Sequence, residues 1–231
     1  GARRADDGEF YYVRARSAEA LGYVAVESPE AVADPETLAD LRVGLEFDEP
    51  EVKEKLAKAL AYVALGDPGR LRHHADTLAE HLDDGDELVR YHLCTALVAV
   101  GCAHPERLAA AEDALGERLR DESAYVRGRA AEALGLLAGA GVAVDAGDAL
   151  DDVDAAAAPS FLVDRAEFCR RRLADHAADP VSGVGTVESV RDGTADAVAA
   201  TTTPDGDACP RCGLELPEDG PPMCPRCGTP R

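Results

Sequence analysis

Four cysteines near the C-terminus have the types and spacing of a metal site: Cys209-Pro-Arg-Cys212 and Cys224-Pro-Arg-Cys227, with 11 residues between the pairs. Each Cys-x-x-Cys pair brings two sulfurs to one point, and two pairs complete a tetrahedral set of thiolates. Proline stiffens each turn. Gly213 and Gly228 leave room for backbone N–H groups to approach the sulfurs. Four thiolates leave no open coordination position, so the expected cofactor is a structural Zn2+ ion and not a catalytic one. Tetrathiolate iron and dithiol redox chemistry are the alternatives. The segment between the pairs is long enough for a minimal hairpin only. Its folding free energy must then come from the metal, about 10–16 kcal/mol for comparable structural sites.

The other cysteines are Cys94, Cys102 and Cys169. They read as small buried hydrophobic residues. His73, His74, His81 and His92 lie close together in sequence. His74 and His81 are at helical spacing, but no carboxylate accompanies them in a repeated pattern, so packed or surface histidines are expected. Arg170-Arg-Arg172 is the most basic run, and it reads as a solvated face.

Whatever positions these groups must be repetitive, because the middle of the chain copies itself. Val126, Arg127, Ala133 and Leu134 recur 37 residues upstream as Val89, Arg90, Ala96 and Leu97, and again as Val52, Lys53, Ala59 and Leu60. Leu115 and Leu119 match Leu78 and Leu82, then Leu41 and Leu45. A fourth, slipped copy occupies Val13 to Leu21. A helix-pair period of this size means a solenoid, in which each unit packs mainly on its neighbours. In each second helix the set Val52, Leu56, Ala59, Leu60, Val63 and its two copies fall on one stripe. Acidic turns precede those helices at Phe47–Pro50, Asp83–Asp86 and Asp121–Ser123, and can cap them. Arg14, Lys53, Arg90 and Arg127 share one repeat position, which predicts a charge ladder beside the acidic turns.

The formal charge is -21, from 45 acidic and 24 basic residues. Lysine occurs only at 53, 55 and 58, and tryptophan is absent. Acid and alanine enrichment with scarce lysine suits a salt-rich cytoplasm, where a surface of this charge is screened. No apolar run approaches the roughly 18 residues of a membrane span, and no secretory signal is visible. A cytoplasmic location is expected, as is a truncated first repeat whose leading helix is absent or lies upstream of Gly1.

These motifs are similar to HEAT-type repeats, in the form Asp-x4-Val-Arg-x-x-x-Ala-x-x-Leu, as at Asp84…Val89-Arg90 and Asp121…Leu134. The first full copy departs from it, with Asp48 for the acid and Lys53 for the arginine. The resemblance covers about residues 9 to 138, and the cysteine tail resembles a zinc ribbon. Together they resemble HEAT-repeat proteins of halophilic archaea. The resemblance implies an all-α, right-handed α-solenoid of HEAT-type helix pairs plus a small C-terminal four-cysteine zinc ribbon. It also implies an interaction scaffold that binds along the face lined by second helices. Enzymes of the repeat class have features missing from this sequence. The bilin lyases have a bilin pocket, the lysine hydroxylase repeated His-Glu pairs, and the DNA glycosylases a basic aromatic groove.

The expected organisation is a HEAT solenoid over 1–140 with its first repeat truncated, then an acidic Ala/Asp-rich linker over 141–159. A helical pair at 160–200 serves as a degenerate capping repeat, 201–206 form a linker, and 207–231 form the zinc ribbon. The expected function is a non-enzymatic protein–protein adaptor. A nucleic-acid factor acting through the ribbon and a bilin-lyase-like enzyme are the alternatives. Recurring positions are assigned to core, cap and ladder, so partner binding falls to positions that vary between copies. These are Glu54, Lys55 and Lys58, then Tyr91, His92 and Thr95, then Gly128, Arg129 and Glu132.

Overall fold

The computed structural model describes residues 2–32, 35–46, 49–178 and 181–202. The cysteine motif and the expected ribbon lie outside them. Helices and 3-10 turns are the only regular elements among the described residues. They are α1 (Ala2–Glu27), α2 (Pro35–Val43), α3 (Pro50–Gly66), α4 (Ala75–Ala79), α5 (Glu87–Ala103), α6 (Glu112–Arg118), α7 (Ala124–Gly139), α8 (Gly147–Asp151), α9 (Ser160–Ala174) and α10 (Val187–Thr202). No described helix is long and apolar enough to cross a membrane. The chain forms two compact units, Gly1–Arg191 and Asp192–Arg231, and α10 runs from the first into the second.

In the first unit α1, α3, α5, α7 and α9 pack side by side in chain order. Short, broken helices lie behind them. Pro29, Pro68 and Pro105 each open a 3-10 segment, since proline starts a turn readily but lacks the N–H that a helix interior needs. The first helices are thus reduced to α2, α4 and α6 with flanking turns. The stripe leucines Leu41, Leu45, Leu78, Leu82, Leu115 and Leu119 are still buried, as are the recurring Val, Ala and Leu of the second helices. Alanine at 59, 96 and 133 is fully buried. Every residue of α5 from Val89 to Gly101 is buried. It packs between α3 and α7 and against α4 and the Pro105–Ala111 turn. Each fully buried leucine here contributes about 1.5–3 kcal/mol.

The second and third acidic turns do two jobs, whereas at the first the N-cap Glu49 makes no side-chain capping bond to α3. Asp86 caps α5 by accepting from Leu88 N (2.8 Å) and Val89 N (3.2 Å), and Ser123 caps α7 through Tyr125 N and Val126 N. Asp84 and Asp121 sit two residues earlier and accept from the backbone N–H of Asp86 and Ser123. Their carboxylates also receive the cation of the preceding repeat. Lys53 pairs with Asp84, and Arg90 grips Asp121 with two hydrogen bonds of 2.8 and 3.0 Å. The ladder therefore runs forward along the stack. Arg127 turns onto the carbonyls of Asp121 and Glu122, and the Arg14 side chain lies outside the described set.

The stretch 141–159 carries the short helix α8, with Ala149 and Leu150 buried. Helix α9 then packs on α7 as the next member of the row. Glycine makes that contact close. A Cβ at Gly128 would meet the Phe161 ring at 2.7 Å, and one at Gly135 would meet the Phe168 ring at 2.7 Å.

Candidate partner-binding face

The nine variable positions occupy one side of the α3–α5–α7 row and form two clusters with a buried histidine between them. In the first, Lys58 Nζ donates to Glu19 Oε1 and to Tyr23 Oη, each at 2.9 Å. It also lies 5.0 Å from the Tyr23 ring centre and 5.6 Å from that of Tyr62. Lys55 donates to Glu54 at 2.8 Å and stands 3.7 Å from Glu19. Burial pushes the Glu19 carboxyl up, but Lys58 and Lys55 reverse this and hold it below its ordinary value. Burial likewise opposes the Lys58 charge, and Glu19 and Tyr23 more than restore it. All three candidates on α3 are half-buried.

Tyr91, His92 and Thr95 on α5 are fully buried. Thr95 Oγ1 donates to the Tyr91 carbonyl at 2.8 Å. The His92 ring meets the edge of Tyr91, with centres 5.6 Å apart. Among the described residues neither of its ring nitrogens has a hydrogen-bond partner. Burial, reinforced by Lys58 and Lys55, pushes its pKa down to about 3, so the ring is neutral.

The second cluster is the more elaborate. Arg129 and Glu132 are also fully buried. Glu132 Oε2 accepts from Arg129 Nη1 (2.8 Å) and from Arg165 Nε (3.0 Å). Arg129 Nη2 donates to Tyr91 Oη at 3.2 Å. The Phe161 ring lies 3.6 Å from the Arg165 guanidinium carbon and 5.3 Å from that of Arg129. Burial opposes the charge on both arginines. Tyr91 and Glu132 outweigh it at Arg129, whereas burial prevails at Arg165. A buried carboxylate between two guanidiniums is tolerable only because every partner is in hydrogen-bond contact.

Residues 184–191 cross this side of the row. Gly185 N donates to Glu132 Oε1 at 2.8 Å, and Arg129 Nη2 donates to the Val190 carbonyl at 3.2 Å. Arg191 Nη2 donates to the carbonyls of Val26 (3.3 Å) and Leu65 (3.2 Å), in the last turns of α1 and α3. Val190-Arg191 copies the Val-Arg of the repeats in type but not in role, since the arginine reaches helix ends and not an acidic turn.

Five of the nine candidates, Tyr91, His92, Thr95, Arg129 and Glu132, therefore lie beneath other parts of the chain. Gly128 is covered by Phe161. Glu19, Tyr23, Tyr62, Phe161, Arg165 and the segment 184–191 were not visible as members of this face. One signal could have found Arg165: the 37-residue period carries Ser123 to Ser160 and Val126 to Val163. It places Arg165 in the column of Tyr91 and Gly128.

Elsewhere, a cleft of about 450 Å3 is lined by Arg42, Arg70, Arg72, His74 and Asp67 with Leu38 and Gly69. Asp67 is its only acidic lining residue, and among the described residues Arg42 Nε is buried without a hydrogen-bond partner. Arg42 contacts His74 at 3.1 Å, and Arg70 pairs with Asp67 at 3.3 Å. Among the described residues, no three His, Cys, Asp or Glu side chains are grouped to hold a metal ion. Burial pushes the thiols of Cys94, Cys102 and Cys169 up to about 12.

A family model described as HEAT repeats matches residues 75–167. No curated protein matches the chain. Among solved structures, an engineered protein aligns with a TM-score of 0.60 at 19% identity, over 84% of this chain and 85% of that one. A designed armadillo repeat protein in complex with the peptide (KR)4 aligns with a TM-score of 0.59 at 18% identity, over 84% and 85%. Kap121p aligns with a TM-score of 0.56 at 15% identity, over 84% of this chain and 20% of that one. At such identities the likeness is one of fold, an all-helical repeat solenoid of the armadillo and HEAT kind.

Proposed function

We propose that the chain is a non-enzymatic scaffold of HEAT type that binds a protein partner on the side of the row formed by α1, α3, α5, α7 and α9. One observation carries the reading. The residues that recur from repeat to repeat go to the core, the caps and the ladder, whereas the polar side chains singled out as differing between the second helices, Lys55, Lys58, Arg129 and Glu132 among them, gather on that side. A solenoid uses such a side as a continuous binding surface. The peptide in the designed armadillo complex supports the analogy. Cys209, Cys212, Cys224 and Cys227 are proposed to hold one structural Zn2+ in a ribbon that adds a second contact. A reducing compartment such as the cytoplasm would keep those thiols available.

Affinity capture at high salt, followed by photo-crosslinking from Lys55 and Tyr125, tests the scaffold. One dominant protein crosslinked to this side is expected. Nucleic acid recovered instead, and lost on replacing Arg211 and Arg226, would favour the ribbon-led reading. Turnover of a bilin or of a lysine substrate would overturn the non-enzymatic one. Elemental analysis tests the metal: one zinc per chain is expected, and fewer than about half after zinc-replete expression would sink the ribbon.

A further inference from the structure

We infer that the binding face is at present filled by the chain's own residues 184–191, and that an external peptide of the same chemistry binds by displacing them. The inference rests on the scaffold reading and specifies its ligand. Of the polar attachments described here, two use main-chain groups of the occupant: Gly185 N–H to Glu132, and the Val190 carbonyl to Arg129. The third is the Arg191 guanidinium on the end carbonyls of α1 and α3, where a helix presents unsatisfied oxygens and partial negative charge. These attachments use no occupant side chain other than that arginine, so another chain can supply them.

Shape narrows the ligand further. Gly185 has φ +79°, and a Cβ there would meet the Phe168 ring at 2.9 Å, so a glycine turn is required. Val184 and Val190 are buried, whereas Thr186, Glu188 and Arg191 are exposed. The occupant is thus a glycine turn leading into the first turn of a helix, with two small apolar anchors and one arginine. That is helix-in-groove recognition. Its grip is light compared with the row beneath it, where α5 is buried along nearly its whole length. Opening of residues 184–191 without unfolding the row is the expected consequence.

The experiment uses the full chain and, as probe, a fluorescent peptide copying residues 181–202. Arg191→Ala removes the exposed anchor and leaves the row intact. If the segment competes, apparent affinity scales with the open fraction. The variant should bind the probe about tenfold more tightly than the parent chain, and a probe with alanine for its arginine should bind about tenfold more weakly. Hydrogen exchange gives a second readout. The Gly185 amide should exchange faster than those of α5, and faster still with probe present. Equal probe affinity for both chains, or Gly185 exchange as slow as that of α5, overturns the displacement while leaving the scaffold standing. If neither the probe nor a captured protein binds the opened variant, the scaffold reading falls with it.

Discussion

His92 shows what one buried, unsatisfied side chain does to the protein. Its ring is neutral in the folded chain because burial and the neighbouring Lys58, Lys55 and Arg129 oppose a positive charge and outweigh Glu19, which favours it. The folded pKa is near 3 against an ordinary 6.5, so below pH 6.5 the unfolded chain takes up a proton that the folded chain refuses. The stabilising contribution is complete above about pH 6.5 and is lost as pH falls toward 3, with a limiting slope of about 1.4 kcal/mol per pH unit. Denaturant unfolding at pH 6.5 and 4.5 should therefore show a drop that shrinks by about 2 kcal/mol in His92→Leu. Identical drops would mean that the ring is protonated, or reached by water, in the folded state.

At the scale of the element, the ladder and the glycines make separable predictions. Asp121 holds its turn and receives two hydrogen bonds from a buried arginine, whereas the Lys53 partner of Asp84 is partly exposed. Asp121→Ala strands a buried guanidinium and should cost about 3–5 kcal/mol. Asp84→Ala should cost about 1–2 kcal/mol, since its cation can turn to solvent. Equal losses would show that the two rungs are equivalent. Glycine inside a helix ordinarily weakens it by about 1 kcal/mol relative to alanine. Gly116→Ala in α6, where an added Cβ meets no atom within 4 Å, should thus raise stability by up to that amount. Gly128→Ala must push the Phe161 ring aside and should lower stability by about 1–3 kcal/mol. Thermal melts of the two variants, moving in opposite directions, would check both.

The whole molecule carries a charge of -21, and among the described residues Asp121 and Glu132 are the only buried acids. Self-repulsion of the rest opposes the compact state until salt screens it; at about 1 M the Debye length is only about 3 Å. We propose that the acidity is a solvation adaptation to a salt-rich interior. The melting temperature should rise steadily as NaCl goes from about 0.1 to 2 M. A chain equally stable in dilute buffer would count against it.

Periodicity made the row legible in the sequence. A 37-residue repeat of Val, Ala and Leu at helical spacing has few ways to bury its stripe except against copies of itself, and Asp-x4-Val-Arg marks the second and third turns. Capping by Asp86 and Ser123 is equally local, because a cap needs only the backbone amides that follow it. What covers this side of the row was not legible. Tyr91, His92, Thr95, Arg129 and Glu132 looked like surface positions because they vary, and variation does not distinguish exposure from burial beneath a distant segment. Arg129 meets Val190 across 61 residues, and Arg191 meets Val26 across 165. Contacts of that separation leave no periodic trace. Local spacing is enough to set the repeat, whereas the covering of its face follows from the three-dimensional fold, because those contacts are set by where the chain returns.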